Sequence, residues 1–463
     1  MQFRLRQYQT ESIDLLRKAG KRPILCLPTG AGKTVTFSHL AERAIEKGSK
    51  VHVVCHRKEL IEQARDTMKA YGVPMHMVSF GMVQTYNRSP HKIPEAELTI
   101  IDECHIGNFR KFCDEVTGKT FIIGATATPI SASKKHPLNE TFDSIVDPIQ
   151  IPELIDQGFL SKPVYHLANL DLSGLSLSST GEYSESSQNQ AFSNLFSLDT
   201  LKSTLEKIGN EKAIIFTPSV EMAETVAKLG AGYYLAHSKM PKAQRDREIL
   251  GFKADPNGKI VNCSILTAGF DEPDIKHVVL YRATTSEALY LQMVGRGSRV
   301  TPNKNTFHVW DLGQNYKRIA YWHMERDWAI KFFDQGKKLK KGESPFKTCV
   351  TCEALIPASV RLCDICNSEQ PPPQEKQELN TNDFQVVEYG QNIPSHLQKP
   401  YETLTVKELI ERAQYGSART GRPYKMQWIL HQLKQRPQSN ELIKEFARIK
   451  GYKNGWTHKQ LST

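Results

Sequence analysis

With 463 residues, 39% of them hydrophobic and 24% charged, the chain is ordinary globular material, too long for one core, and its length suggests about three or four domains. No run is apolar enough to span lipid, and the opening Met1-Gln2-Phe3-Arg4-Leu5-Arg6 lacks the apolar centre of a signal peptide; a cytoplasmic location and no membrane partner are expected. The net charge of +11 is unevenly placed, with nine Lys/Arg against four Asp/Glu in residues 315–348 and twelve against five in residues 401–463. Such local excess attracts phosphate backbones through counterion release, although a solvated helix face has the same composition and, for Lys337 to Lys341, is an equally good account. Of nine cysteines, Cys26, Cys55, Cys104 and Cys263 fall in or beside apolar strand-like runs and Cys113 in a helical one, where reduced thiols pack as small hydrophobes. No disulfide framework is implied.

From the start to about residue 150, apolar runs alternate with helical patterns. Strands are expected at 23–27, 50–55, 98–101 and 120–124, the alternation that yields a parallel sheet with helices on both faces and ligands at the strands' carboxyl ends. After the first run comes Pro28-Thr29-Gly30-Ala31-Gly32-Lys33-Thr34, followed by a helical pattern to about Gly48. A strand turning through glycines into a helix start leaves backbone N–H groups aimed at one point, where the helix dipole also favours an anion. Phosphate suits that point, with Lys33 reaching the β and γ phosphates and the Thr34 hydroxyl holding Mg²⁺. The generic pattern asks for glycine where this chain has Leu27, and a plain glycine-rich turn is the alternative.

Residues 171–197 are serine-rich with little periodicity and read as a flexible insertion or connection. A second alternating series follows, with strands expected at 213–216, 233–235, 260–266, 277–280 and 307–310 and helices around Val220–Leu229, Lys242–Phe252 and Glu287–Met293. This second α/β lobe has no glycine phosphate loop of its own, so a cleft between two lobes is implied. Beyond about residue 315 the rhythm gives way to a basic stretch containing Trp322 and Trp328. Cys349-Val350-Thr351-Cys352 and Cys363-Asp364-Ile365-Cys366 then form two C-x-x-C pairs. Four thiolates so spaced can surround Zn²⁺ as a closed structural site, with redox pairing as the weaker account. Pro371-Pro372-Pro373 begins a linker, and the tail from about 401 carries three helical patterns.

Two segments carry the remaining chemistry. Ile100-Ile101-Asp102-Glu103-Cys104-His105 ends an apolar strand in two carboxylates, the first suited to holding Mg²⁺ and the second to positioning and deprotonating a water. Two acids can also simply begin a helix. Gln292-Met293-Val294-Gly295-Arg296-Gly297-Ser298-Arg299 presents Arg296 and Arg299 at a helix end, where guanidinium groups brought across a cleft would stabilise the charge of phosphoryl transfer.

Read together, these residues resemble the superfamily-two helicases of the DExH type over roughly residues 4 to 313. Leu5-Arg6-Gln7-Tyr8-Gln9 looks like the segment in which a glutamine reads adenine, here Gln9 with Arg6 beside it. Leu27 fits, since Pro-Thr-Gly-Ala-Gly-Lys-Thr is the helicase form of the loop. Asp102-Glu103-Cys104-His105 matches the DExH box, and Cys55-His56-Arg57-Lys58-Glu59-Leu60 and Val83-Gln84-Thr85 resemble first-lobe segments that hold nucleic-acid phosphates. Gly124-Ala125-Thr126-Ala127-Thr128-Pro129 resembles the motif linking the ATP and nucleic-acid sites. Phe216-Thr217-Pro218-Ser219 and Leu266-Thr267-Ala268-Gly269-Phe270-Asp271 match second-lobe strand-end motifs. The resemblance implies catalysis by Lys33, Asp102, Glu103, Arg296 and Arg299. It implies ATP binding by these and by Arg6, Gln9, Thr29, Gly30, Ala31, Gly32, Thr34, Asp271 and Gln292. Nucleic-acid contact falls to Arg57, Gln84, Thr85, Thr217 and Thr267, and coupling to His105, Thr126 and Thr128. A narrower resemblance, carried by the cysteine cluster and by Lys450-Gly451-Tyr452-Lys453-Asn454-Gly455-Trp456, is to RadD-like bacterial and phage helicases, and it favours DNA over RNA.

The expectation is therefore an α/β protein of two tandem RecA-like parallel-sheet lobes with a small zinc ribbon and a helical C-terminal tail. Its segments are 1–165 for the ATP-binding lobe, 166–200 for the serine-rich insertion, 201–325 for the second lobe, 326–348 for the basic segment, 349–366 for the ribbon (metal ligands Cys349, Cys352, Cys363 and Cys366), 367–400 for the linker and 401–463 for the basic tail. Cofactors are ATP, Mg²⁺ and Zn²⁺; the partner is nucleic acid, and the ribbon or tail can also dock protein. The implied activity is ATP-dependent movement on, or unwinding of, DNA, in repair or replication. An RNA helicase and a nucleotide-switched scaffold that does not unwind are the alternatives.

Overall fold

The computed structural model describes residues 5–333 apart from 107–108, 132–135, 169 and 268, together with shorter stretches from 346 to 452. Two compact units divide the chain, the first holding residues 1–317, 321–338 and 381–386 and the second holding the rest.

The first unit contains two parallel sheets. One is built from β1 (Pro23–Cys26), β2 (Val51–Cys55), β3 (Val78–Met82), β4 (Leu98–Asp102), β5 (Phe121–Thr126) and β6 (Ser144–Val146), in the order β3-β2-β4-β5-β1-β6. The other has Gln385–Glu388 at one edge and then runs β7 (Lys162–Leu167), β12 (Thr306–Asp311), β11 (His277–Leu280), β8 (Ala213–Phe216), β10 (Lys259–Cys263) and β9 (Tyr234–His237), these six paired in parallel with one another in that order. The central strands β1, β2, β4, β8 and β11 are buried along their whole length, which is why they read as unbroken apolar runs rather than alternating ones. Helices such as Lys33–Ile45 and Lys58–Tyr71 cover the first sheet with one apolar face each; in the second of these that face is Leu60, Ile61, Ala64 and Met68.

Register sets the chemistry in the first lobe. β1 pairs with β5 so that Cys26 lies beside Thr126, and β4 pairs with β5 so that Asp102 lies beside Ala125. The glycine loop, the acid pair and the Thr126 segment therefore emerge from the same, carboxyl, end of the sheet.

Three differences from the sequence reading have local causes. β3 (VSFGM) and the three-residue β6 are too polar or too short to stand out as apolar runs. β7 pairs throughout with β12, so the second sheet begins at Lys162 and not beyond 165; Pro163, second in that strand, masks its pattern. The serine-rich stretch is not a loose connection. Ser184 caps the helix Glu185–Ser193 and Asn194 caps Leu195–Ile208, and Leu170, Phe192 and Leu201 lie in the second lobe's core. Its serines end and start elements, a role that hydroxyls fill as readily as linker positions.

In the second unit, Phe346–Thr348 and Leu355–Pro357 form an antiparallel pair. Helix Ser439–Ile449 contributes Ile443 and Phe446 to a cluster with Leu409, Leu430 and Leu433. Cys349, Cys352, Cys363 and Cys366 lie outside the described residues, and among the described residues no group of metal-ligating side chains is assembled.

Candidate active site

The loop after β1 turns through Gly30 (φ +87°) and Gly32 (φ +79°), conformations that side chains with a Cβ disfavour, and Gly32 precedes the helix Lys33–Ile45 without any side-chain cap. The first-turn N–H groups are thus left without a side-chain acceptor, the arrangement that receives an anion. Leu27 N donates to Thr126 O at 3.0 Å, tying the loop's entry to β5. On its other flank Gln9 Nε2 donates to Ala31 O (3.2 Å) and Gly32 O (3.4 Å), and Tyr8 Oη donates to Ala31 O (2.7 Å). Arg6 donates to Tyr8 Oη and lies over the Phe159 ring at 4.0 Å. Arg6 and Gln9 are thereby placed beside the phosphate loop. Tyr8 and Phe159 join them, and sequence reasoning missed both: Tyr8 was passed over inside its motif, and Phe159 lies far from any motif.

Lys33 Nζ stands 3.3 Å from Glu103 Oε1. Glu103 adopts a left-handed backbone (φ +49°), and its N–H donates to Asp102 Oδ1 at 3.0 Å. Glu103 Oε2 is buried and accepts no hydrogen bond, with His105 Nδ1 3.3 Å away. Burial pushes the pKa of Asp102 up, and the Glu103 charge adds to this, against the pull of Lys33. Burial acts in the same direction on Glu103, but the Lys33 charge and its hydrogen bond, with the Arg296 charge behind them, outweigh it and leave that carboxyl below its ordinary value. The pair is therefore differentiated: Glu103 stays ionised, and Asp102 is a buried carboxylate that a divalent cation would relieve.

Across from this pocket lies the end of the helix Glu287–Val294 in the second lobe. A methyl group at Gly295 would sit 3.1 Å from Thr29 Cβ, and one at Gly30 would sit 2.9 Å from Leu160 and 3.6 Å from Ser298 Oγ. Glycine on each side lets the loop and this segment meet. Arg296 donates to Phe270 O and to Thr267 O (2.7 Å), while Arg299 Nε pairs with Asp271 Oδ1 at 3.0 Å. Arg296 Nε and Arg299 Nη1 are buried without acceptors. Burial, then the neighbouring Arg299 charge, pulls the pKa of Arg296 down to about 9, which keeps it protonated at neutral pH.

One chain of hydrogen bonds joins the lobes. Gln292 Nε2 meets His105 Nε2 at 3.1 Å, His105 Nδ1 meets Thr126 Oγ1 at 2.7 Å, and Thr128 N donates to Thr126 Oγ1 at 3.0 Å. Burial holds the His105 pKa down at about 4, so the ring is neutral and Nε2 accepts while Nδ1–H donates.

The remaining predicted residues divide by lobe. Gln84 and Thr85 are exposed and Arg57 half-buried, with Gln84 Nε2 donating to His56 O at 2.7 Å. Thr217 and Thr267 are buried, and their hydroxyls donate inward, to Asn262 O and Ser219 O and to Ser264 O respectively. A cavity of about 460 Å³ lined by His166, His277, His308 and Trp310 lies elsewhere, on the second sheet, with His277 at the start of its strand.

This architecture and site define a motor ATPase. Residues 2–131 match the family model described as type III restriction enzyme, res subunit, and residues 197–301 match the helicase conserved C-terminal domain. The chain belongs to the superfamily-two helicases, nucleic-acid-dependent ATPases. It is 30% identical over 355 residues to a 51.5 kDa protein of a Lactococcus phage, an alignment covering 74% of this chain and 77% of that one. It is 28% identical to the candidate ATP-dependent helicase IRC3 of Saccharomyces cerevisiae, over 66% of this chain and only 51% of the yeast protein. Among solved structures, a fragment of a candidate HsdR subunit of a type I restriction enzyme from Vibrio vulnificus YJ016 has the same fold (TM-score 0.53, 21% identity, 69% of this chain and 66% of that one).

Proposed function

We propose that the chain is an ATP-driven DNA helicase or translocase in which closure of the second lobe on the phosphate loop completes the hydrolytic site. The observation that carries this reading is the seam where Lys33 and Glu103 face a segment bearing Arg296. Lys33 and the uncapped helix start bind the triphosphate, and Gln9 and Arg6 flank the loop for the base. Thr34 and Asp102 would hold Mg²⁺, whose charge offsets that of the phosphates. Glu103 Oε2, ionised and free of hydrogen bonds, orients the attacking water and takes its proton. Arg296 and Arg299 have to exchange carbonyl and Asp271 partners for phosphate oxygens, so hydrolysis is tied to the lobe that moves.

Arg57, Gln84 and Thr85 lie on the accessible face of the first lobe as backbone contacts for a strand, with Thr217 and Thr267 shaping the second lobe's side. His105, Thr126 and Thr128 with Gln292 carry the state of the nucleotide between lobes. The preference for DNA is supported by the RadD-like signature and by the restriction-enzyme family model. The thiolates of Cys349, Cys352, Cys363 and Cys366 would hold Zn²⁺ as a closed structural site, which together with the basic tail would add grip on DNA or a partner. Steady-state ATPase measured with single-stranded, duplex and forked DNA and with RNA, each at two salt concentrations, tests the reading. Stimulation by DNA is expected; stimulation by RNA alone overturns the DNA assignment, and none by any strand overturns the motor.

A further inference from the structure

The second sheet has its own crevice. β8 leads to β9 on one side, across β10, whereas β11 leads to β12 on the other, so the connections diverge at the carboxyl ends of β8 and β11. In doubly wound sheets ligands settle at such a point. Arg282 stands there, two residues beyond the end of β11.

We propose that Arg282 grips a phosphodiester of the nucleic-acid strand, in a second-lobe site shared with the hydroxyl of Ser264. This inference rests on the motor reading and adds a contact to it. Arg282 is 6% exposed, yet its Nε has no acceptor and Nη1 reaches only Ser264 Oγ, at 3.4 Å. The two other buried arginines among the described residues have more acceptors: Arg296 has two carbonyls, although its Nε is also unmet, and Arg326 has Glu287 at 2.7 Å and three carbonyls. A buried guanidinium left so short of acceptors is costly unless an anion completes it.

The charges of Glu182 and Glu185 favour the Arg282 guanidinium, but neither carboxylate is hydrogen-bonded to it. Glu182 spends its carboxylate on Thr284 Oγ1 (2.6 Å), Thr285 N (3.0 Å) and Tyr183 N (2.8 Å), and Glu185 lies in the first turn of its helix. Those bonds instead pin the backbone beside Arg282. Ala283 N donates to Gln188 Oε1 (3.1 Å), Thr284 N donates to Asn315 Oδ1 (2.8 Å), and Asn315 Nδ2 donates to Arg282 O (3.0 Å). The serine-rich insertion thus preorganises the arginine. Ser264, at the end of β10, is exposed and left-handed (φ +61°), so the hand of Arg282 lies beside solvent at the mouth of the crevice. A planar fork with unmet donors fits the two free oxygens of a phosphodiester.

The test uses the full chain and a labelled oligothymidine, followed by fluorescence anisotropy over a salt series, with an oligoribonucleotide and inorganic phosphate as further arms. Arg282→Ala should weaken strand binding about tenfold at low salt and reduce the slope of log affinity against log salt by about 0.7, the value of one single-strand phosphate. Arg282→Lys should fall between. Should the alanine variant fail to fold, Ser264→Asp decides: aspartate tolerates the left-handed backbone, neutralises Arg282 and repels phosphate, and should give the same loss. Binding of a fluorescent ATP analogue should not change in any of these variants. Wild-type affinity and slope in Ser264→Asp, or displacement of the strand from wild type by inorganic phosphate as readily as from Arg282→Lys, overturn the proposal. Failure of wild type to bind either strand overturns the motor reading as well.

Discussion

The two lobes each send a central strand into a loop and then a helix, and they finish that turn in opposite ways. After β1 the helix Lys33–Ile45 begins on Gly32, which offers no side chain to the first-turn N–H groups. After β8 the helix Val220–Ala227 begins on Ser219, whose Oγ accepts from Met222 N at 3.0 Å. A protein hydroxyl fills in the second lobe the place that, on the proposed reading, a phosphate takes in the first. One topology then offers an anion site only where the cap has been left out. The second lobe, already capped, would bring arginines to its partner's site instead.

The largest way to break this comparison is at the acid pair Asp102-Glu103, whose second carboxylate faces Lys33 beside the first lobe's phosphate loop. Glu103→Gln should keep ATP binding and lower kcat of the strand-stimulated ATPase about a hundred- to ten-thousand-fold; an unchanged rate would remove Glu103 as base. Next is a liability that both lobes share. His52 and His105 in the first lobe and His277 in the second are held near pKa 4 by burial, against 6.5 when free. The unfolded chain takes up protons that the folded one excludes, so stability should fall as pH drops below 6.5, by about 2 kcal/mol per such histidine by pH 5. Urea midpoints that stay level between pH 7 and pH 5 would contradict this.

A smaller effect should follow from giving the first lobe's cap a side chain. Gly32→Ala forces a left-handed alanine, at about 1–2 kcal/mol, and sets a methyl 2.7 Å from Gln9 Nε2. ATP affinity should drop about tenfold, and titration with a fluorescent analogue showing no loss would argue that the loop does not hold the phosphates. The mildest change is Ser219→Ala. It should cost about 1 kcal/mol in chemical denaturation and leave nucleotide affinity as it was; a loss of ATP binding would mean that the second turn is not merely structural.

How much of this could be read from the chain depends on whether a residue acts locally. The glycine loop, the Asp102-Glu103 pair and the Arg296 segment were legible because each is a short run tied to the end of a buried strand or helix. Phe159 was not, since its place over Arg6 depends on the chain returning to the loop far downstream. Arg282 was hidden likewise, because only the sheet order brings it beside Ser264. The serine-rich insertion misled for a different reason: hydroxyls serve turns and caps as well as linkers, and composition does not separate these uses, whereas Phe192 and Leu201 inside it are what fold it into the core.

The ion pair between Lys33 and Glu103 sets an order of events. If these two residues act as proposed, fuel that engages the lysine has to take it from the glutamate, and the contact that captures the triphosphate would also arm the group that consumes it. An idle motor would thereby be kept from spending, with one side chain as both safety catch and trigger.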